Sequence, residues 1–276
     1  MLGQYLITFR EVLEAALIIS IVLAYLARTD RNPLSRYVWY GVFSAVFLSV
    51  VFGISIQFAY GVLPKSVQRL FEGAAALVAV AVLSSMIYWM ATKGRELKGE
   101  VERRVEAIAT RGTTLGLVFF AFVAVFREGL ETVLFLTPFL LTDTMATVGG
   151  LIFGILTALG LAYGIFVVGM RINIRRFFYF TSIMLVLLAG GLAGYGVHEL
   201  MEYAESSGFN LGWFSEYAYN LNVPKDSLFH HNGVIGSVLA VMFGYSVGAE
   251  WGRLLAHVAY IALVLPLVVR AYRRAR

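Results

Sequence analysis

Residues 9–17 read FREVLEAAL, and nearly the same stretch returns as FREGLETVL at residues 126–134. Six of the nine positions are identical, and each copy places one arginine and two glutamates inside a long apolar run. In a membrane-spanning helix, one unpaired charge near the centre costs roughly 2.5–3.5 kcal/mol to insert. Whether these two stretches lie in water or in lipid therefore decides whether their charges are ordinary surface residues or costly groups that need a function.

The composition places the chain in a membrane. Of its 276 residues, 59% are hydrophobic and 14% are charged, and the mean hydropathy is +0.78. Soluble domains carry about 25% charged residues, so this chain lacks the polar surface that a water-soluble fold needs. We predict an all-α, multi-pass protein of the cytoplasmic membrane. Cysteine is absent, which excludes disulfides, thiolate metal sites and cysteine nucleophiles.

Seven stretches are long and apolar enough to cross the hydrocarbon layer, for which a helix needs about 20 residues. They are residues 4–27, 37–60, 69–92, 113–141, 145–170, 177–200 and 250–270. Sixteen of the 22 lysines and arginines follow spans 1, 3 and 5 or close the chain. Because such cations collect on the cytoplasmic side, we predict that the N-terminus is outside and the C-terminus inside. The net charge of +5 then reflects membrane orientation and predicts no nucleic-acid partner.

The doubled motif indicates an internal repeat. Its copies lie 117 positions apart, and a weaker similarity pairs residues 40–46 with residues 153–159 at a spacing of 113. A unit of three spans re-enters the membrane upside down, so we predict two inverted repeats that meet near the midplane, where many transporters bind their substrate. The seventh helix stands outside this symmetry.

The expected organisation follows the predicted spans. It comprises a first three-helix repeat (1–92), a cytoplasmic connecting helix (93–111), a second three-helix repeat (112–200), an external segment (201–249), and a seventh helix with a basic tail (250–276). The aromatic residues of 201–233 favour the headgroup layer, so part of that stretch is expected to lie flat on the outer surface. The apolar residues 234–247 are too few for a span and are expected to be re-entrant or interfacial.

Helical spacing brings the charges of each motif onto one face. Glu14 lies four residues after Arg10 and three after Glu11, and the second motif repeats this spacing with Arg127, Glu128 and Glu131. Four carboxylates against two guanidinium groups leave a formal charge of −2, which predicts a cation site. Carboxylates suit iron, manganese, magnesium or calcium, whereas copper(I) and zinc prefer sulfur or imidazole. The residues alone leave the choice among the hard ions open.

Two R-E-x-x-E motifs in the first and fourth of seven spans resemble the high-affinity iron permease family, the oxidase-coupled ferric permeases of fungi and bacterial Efe-type iron permeases. Further similarity lies in Glu72-Gly73, Met86-x-x-Trp89-Met90, GYGVHEL at 194–200 and FGY at 243–245. The resemblance implies iron translocation, with Glu11, Glu14, Glu128 and Glu131 carrying the ion and Arg10 and Arg127 as required companions. An extracytoplasmic ferroxidase or iron-binding protein is the partner to expect.

We therefore expect a permease, not an enzyme, that moves iron, as Fe(III), inward through the paired glutamates. Iron is the transported substrate, and no organic cofactor is expected; the oligomeric state is left open. One alternative is a permease for another metal, either a divalent ion or lead. A second alternative is an intramembrane metalloenzyme with a carboxylate-bridged di-iron centre. No histidine lies three residues after any motif glutamate, which disfavours the enzyme.

A second group of possible metal ligands ends the sixth span. If that helix continues past residue 200, His198, Glu202 and Glu205 share one face, with Glu199 one step aside. The predicted orientation places them outside. They form either a vestibule that gathers iron and passes it inward or an acidic helix end that meets water, and the sequence favours neither.

Two further features lie near the same side. Glu72 begins the third span, three residues after Arg69, so it is either a pathway ligand or the partner of Arg69 in a local ion pair. The adjacent His230 and His231 are a weaker metal candidate, because neighbouring side chains diverge on a helix.

Overall fold

The computed structural model describes residues 1–93, 97–110, 114–168, 174–224, 227, 229, 235–236, 239–240 and 244–274. Long helices dominate this part of the chain. They are α1 (Leu2–Arg28), α2 (Ser35–Gly61), α3 (Lys65–Lys93), α4 (Leu97–Thr110), α5 (Thr114–Thr142), α6 (Thr144–Phe166), α7 (Ile174–Ser206) and α8 (Trp251–Arg274). Short 3-10 helices lie at Asn32–Leu34 and Gly212–Ser215.

Within the described residues, five helices are long and apolar enough to cross a membrane: α2, α3, α6, α7 and α8. The other two helices at predicted spans, α1 and α5, are of similar length, with 27 and 29 residues. They carry the motif charges in their central turns, which lowers their hydropathy. The structure is consistent with a helical membrane protein, and the crossing of the membrane by α1 and α5 stays a prediction.

The predicted spans agree with the helices in order and differ at their ends. The sixth span continues to Ser206, as α7, beyond the boundary at residue 200 that the sequence predicted. The helix continues because residues 201–206 include good helix formers even though this turn is no longer apolar. The fifth predicted span ends at residue 170, while α6 ends at Phe166 and residues 169–173 lie outside the described part.

The stretch predicted as a connecting helix contains helix α4. Glu100 and Arg104 form an i,i+4 ion pair at 2.5 Å on an exposed face. On its other face, Val101 and Val105 are buried in a cluster that includes residues of α1 and α5. The helix is therefore amphipathic and is anchored to the bundle by its apolar side.

Three pairs of helices make extensive contacts in the bundle: α2 packs on α5, α6 packs on α1, and α3 packs on α7. In lipid the helices gain no hydrophobic driving force from one another, so small residues that allow close approach matter most. A Cβ atom on Gly41 of α2 would collide with the backbone of α5 at residues 118–122. A Cβ atom on Gly150 of α6 would likewise collide with α1 at residues 1–5.

The outer surface of the bundle suits a bilayer. Helix α2 exposes large apolar side chains along most of its length, among them Phe43, Phe47 and Phe58. Such a continuous apolar surface is far larger than soluble proteins display. The main buried cluster instead lies between α3, α7 and α8, with Ile7 of α1 and Phe135 of α5.

The segment before α8 contains a feature that the sequence did not predict. Strand β1 (Tyr217–Asn220) pairs antiparallel with strand β2 (Gly248–Glu250), so the two ends of the intervening stretch are held together. In the part of the chain that the structure describes, the fold is therefore helical with one small two-stranded sheet. The predicted re-entrant stretch 234–247 falls largely outside the described residues, as do His230 and His231.

Candidate metal centre

The first motif lies in the middle of α1 and is enclosed by the protein. Arg10 is 0% exposed, and Glu11 and Glu14 are also buried. Glu11 follows Leu2 by nine residues, about 14 Å along the axis at 1.5 Å per residue. Ile7 and Leu17 on the same face are buried as well. A whole helical stripe that includes the motif therefore points into the bundle.

Arg10 contacts both glutamates of its own helix. Its Nη1 lies 3.3 Å from Glu11 Oε1, and its Nη2 lies 2.9 Å from Glu14 Oε1. Nη1 also donates to the Sδ atom of Met86 on α3, at 3.6 Å. Ion pairs in a buried, low-dielectric setting are stronger than in water. The guanidinium therefore offsets part of the negative charge and limits the positions that the two carboxylates can take.

The second motif lies in the middle of α5 and is less enclosed. Arg127 Nε donates to Glu131 Oε1 at 2.8 Å and lies 3.9 Å from Glu128 Oε1. Its guanidinium lies 5.7 Å from the ring centre of Trp89 on α3, which is a cation–π distance. The side chain of Arg127 is nevertheless 52% exposed. Two motifs with the same residues thus have one sealed arginine and one half-exposed arginine.

The two motifs meet through three carboxylates. Glu11, Glu128 and Glu131 each offer one oxygen, and these oxygens all lie within 4.8 Å of one another. In each of these three groups, the Oε2 atom is buried without a hydrogen-bond partner. Buried polar atoms are usually hydrogen-bonded, so this cluster of carboxylates is a candidate cation site. This arrangement provides hard oxygen ligands for a metal ion.

Glu14, the fourth predicted ligand, does not belong to this trio. It forms the 2.9 Å ion pair with Arg10 instead. The prediction that the two motifs face each other agrees with the structure, and Glu14 stands outside the group of three. The physical reason is the position of Arg10, which lies between both glutamates of α1 and holds one of them aside.

Glycine and small side chains let neighbouring helices support the motif helices. A Cβ atom on Gly129, next to Glu128, would lie 2.8 Å from Ser49 Cβ on α2. On the other side of the bundle, a Cβ atom on Gly154 would lie 2.8 Å from Thr8 Cβ on α1. The missing side chain of Gly129 therefore lets α2 approach α5 closely beside Glu128.

A separate polar network lies where α3 begins and α7 ends. Tyr60 of α2 donates its hydroxyl to Glu72 Oε1, and Tyr195 of α7 donates to Glu72 Oε2 at 2.5 Å. The Tyr195 hydroxyl also lies beside Glu199. The suggested ion pair between Arg69 and Glu72 is wrong, because the two tyrosines occupy both oxygens of Glu72.

Arg69 instead joins a second network at the same end of the bundle. It lies 3.0 Å from Glu202. His198 lies 3.6 Å from Glu202 through Nε2 and 3.2 Å from Glu250 through Nδ1. The helical continuation that places His198 and Glu202 on one face is confirmed. Glu250 was not predicted as a candidate ligand; it reaches α7 because it ends strand β2 and directly precedes α8, which packs on α7.

The comparison with known proteins identifies the family of the chain. Residues 1–272 match the iron permease FTR1 family. The chain belongs to this family. The resemblance inferred from the two motifs is thereby confirmed, and family members are transporters rather than enzymes. The chain is accordingly an iron permease family protein, multi-pass in the cytoplasmic membrane.

Several relatives match over nearly their whole length. An uncharacterized protein of Archaeoglobus fulgidus is 44% identical over 274 residues, covering 99% of this chain and 96% of the relative. The ferrous iron permease EfeU of Escherichia coli O6:H1 is 33% identical, covering 96% of each chain. EfeU of Yersinia pestis, also called a ferrous iron permease, is 34% identical, covering 96% and 93%. No solved structure matches the chain.

Proposed function

We propose that the protein moves iron inward across the membrane and that Glu11, Glu128 and Glu131 hold the ion on its way. The observation that carries this proposal is the trio of carboxylates, contributed by two helices, with their oxygens within 4.8 Å. One buried oxygen of each group, Oε2, has no hydrogen-bond partner; this is unfavourable, and a bound cation removes that penalty. Arg10 and Arg127 keep the site from being so negative that the ion cannot leave.

The topology that we propose has seven spans, with the N-terminus outside. The charges of α1 and α5 form ion pairs within each helix, which lowers the penalty of placing them in lipid. The cations at the turn between α1 and α2 and in α4 lie on the side that becomes cytoplasmic. Iron entering from outside then meets the starts of α1 and α3 first.

We also propose that spans 1–3 and 4–6 are inverted repeats, and helix contacts support this. The partners of Gly41 are Val118, Ala121 and Phe122, and those of Gly150 are Met1, Gln4 and Tyr5. These two sets differ by 117 positions throughout, the spacing of the motifs. Gly41 of α2 thus corresponds to Gly150 of α6, which gives these two helices a repeat spacing of 109 residues. The weak sequence similarity suggested a spacing of 113, and the difference of four residues is about one helical turn.

The oxidation state of the iron is a finer part of the proposal. Oxygen-only ligands favour the harder ion, and on that ground we propose Fe(III). Fe(II) is the second candidate, because the relatives EfeU are named ferrous iron permeases and because a divalent ion would balance the formal charge of −2 on the two motifs.

Uptake of radioactive iron into right-side-out vesicles tests the proposal. Glu128→Gln and Glu131→Gln remove ligand charge, and we expect inward flux to fall by at least about tenfold, since even outer-shell changes cost about 10–100-fold at metal sites. Iron is supplied once with a reductant and once as a ferric chelate, so that the two oxidation states are measured separately. Glu100→Gln on α4 is the matched control, because its carboxylate pairs with Arg104 on an exposed face.

The results have clear meanings. Loss of flux in both trio variants with normal flux in Glu100→Gln supports the proposal. Normal iron flux in the trio variants, at equal protein levels in the membrane, contradicts the role of the trio. Flux of a different metal that is lost in Glu14→Ala while iron flux is unchanged supports a permease for that metal, divalent or lead.

A further inference from the structure

Four oxygen-bearing side chains converge at the end of the bundle where α3 begins and α7 ends. Glu72 accepts one hydroxyl from Tyr60 and another from Tyr195, one on each carboxylate oxygen. The Tyr195 hydroxyl also lies beside Glu199. All four side chains are only partly buried, so ions in solution can reach them. The group is contributed by three helices and shares no residue with the motif trio.

We propose that Tyr60, Glu72, Tyr195 and Glu199 form a second metal site, selective for Fe(III), that iron occupies before it reaches the motif glutamates. The choice of iron and the order of binding rest on the proposed function. The ligand set itself rests on the observed contacts, and its occupancy can be measured without transport.

The chemistry of the four groups explains the selectivity. Ionised phenols and carboxylates are hard, anionic oxygen donors, and hard donors bind hard cations best. A phenol that donates a hydrogen bond to a carboxylate is protonated at neutral pH, so a metal has to displace that proton in order to bind. When Fe(III) binds, each phenol that becomes a ligand releases its proton to water, and the metal takes the place of that proton between phenol and carboxylate. A trivalent ion compensates for the release of these protons far better than a divalent ion, because it attracts the anionic oxygens more strongly.

Local packing explains why these groups meet. Glu72 and Tyr195 are each followed by a glycine, Gly73 and Gly196. A Cβ atom on Gly73 would lie 2.9 Å from the carbonyl oxygen of Gly196, and one on Gly196 would lie 3.1 Å from that of Gly73. The two helix backbones therefore touch at this level, and the residue before each glycine is held close to the other.

The same contacts would also arise in a purely structural hydrogen-bond network, and spectroscopy separates the two cases. Phenolate bound to Fe(III) gives a visible charge-transfer absorption, which neither carboxylate-bound Fe(III) nor Fe(II) produces. We therefore titrate the purified full-length protein in detergent with ferric nitrilotriacetate and record the visible difference spectrum. A parallel titration uses Fe(II) under anaerobic, reducing conditions. Proton release is followed with a pH indicator.

Four variants are compared with the unmodified protein. Tyr60→Phe and Tyr195→Phe remove one phenol each while keeping the ring. Tyr203→Phe is the matched control, because Tyr203 lies on the same helix as Tyr195 two turns further on and is also partly buried. Glu14→Gln alters the motif and leaves the four proposed ligands intact.

The proposal expects a visible band with Fe(III), no band with Fe(II), loss of the band in Tyr195→Phe and its weakening or loss in Tyr60→Phe. The band should persist in Tyr203→Phe and Glu14→Gln. Absence of the band in the folded, unmodified protein overturns the proposal, and this result needs no variant. A band that survives in the Tyr60→Phe, Tyr195→Phe double variant overturns it as well. Iron flux without a band leaves the proposed transport intact, whereas a band without flux contradicts transport and supports the second site.

Discussion

Replacing the two motif arginines by methionine, one at a time, tests whether their different burial gives them different contributions to stability. Arg10 and Arg127 occupy the same position of two nearly identical motifs. The side chain of Arg10 is 0% exposed, and that of Arg127 is 52% exposed. Methionine keeps the length and most of the volume of the arginine stem, so the substitution removes mainly the charge and its hydrogen bonds.

The expected losses of stability differ because of burial. Arg10→Met leaves Glu11 and Glu14 buried without the cation that lies 3.3 and 2.9 Å from them, and breaking a buried ion pair in this way costs about 3–5 kcal/mol. Arg127→Met removes a cation that is half-exposed, although its partners Glu128 and Glu131 are largely buried, so its loss should lie between the about 1 kcal/mol of an exposed pair and the cost of breaking a fully buried one. The predicted order is therefore a larger loss for Arg10→Met than for Arg127→Met.

Reversible unfolding in mixed detergent micelles measures both losses against the unmodified protein. A third variant, Arg10→Met with Glu14→Gln, removes the stranded carboxylate charge, and we expect it to recover a substantial part of the loss in Arg10→Met. Equal losses for the two single variants would refute the reasoning, because they would mean that burial does not control the contribution of these arginines. A double variant no more stable than Arg10→Met would refute the role of the Glu14 pair.

Two further predictions concern packing and charge. Gly129→Val forces a side chain against Ser49 where even a Cβ atom would lie 2.8 Å from Ser49 Cβ, so we expect about 1–3 kcal/mol of destabilisation in the same assay. Gly160→Ala, at a position with nothing within 4 Å of a Cβ atom, is the control and should be neutral or slightly stabilising. Glu131→Lys replaces a ligand by a cation, and we expect it to abolish iron flux while the protein is still found in the membrane by immunoblot; retained flux would contradict a role for Glu131 as a ligand.

Much of the architecture is readable from the sequence, because lipid imposes strong constraints. Long apolar runs have to be helices, since no other single segment satisfies its backbone in hydrocarbon. Charged residues at repeat-related positions predict that the motifs meet, because unpaired charges in lipid are unfavourable. For the same reason the prediction that Glu11 approaches Glu128 and Glu131 agrees with the structure.

Contacts between three or more elements were beyond what the sequence could predict. Tyr60, Glu72 and Tyr195 come from three helices whose rotation about their own axes is set by packing, and hydropathy says nothing about that rotation. Glu250 reaches His198 through the pairing of two short strands and the packing of α8 on α7, neither of which the sequence indicates. The repeat register differs by one turn because apolar residues recur at every turn of a membrane helix, so weak similarity fits neighbouring registers almost equally well.

The different burial of Arg10 and Arg127 could not be predicted from the sequence either, and it changes the electrostatics of the site. Ile7 on the face of α1 that carries Arg10 belongs to the buried cluster containing Tyr272 of α8, and the predicted repeat includes no second copy of α8. A charge in a buried, low-dielectric setting acts on its neighbours several times more strongly than one in contact with water. Arg127 is half-exposed and therefore offsets less of the carboxylate charge than Arg10 does. The formal charge of −2 thus understates the negative potential that a cation meets between Glu128 and Glu131, and the α5 side of the trio should bind the ion more strongly than the α1 side.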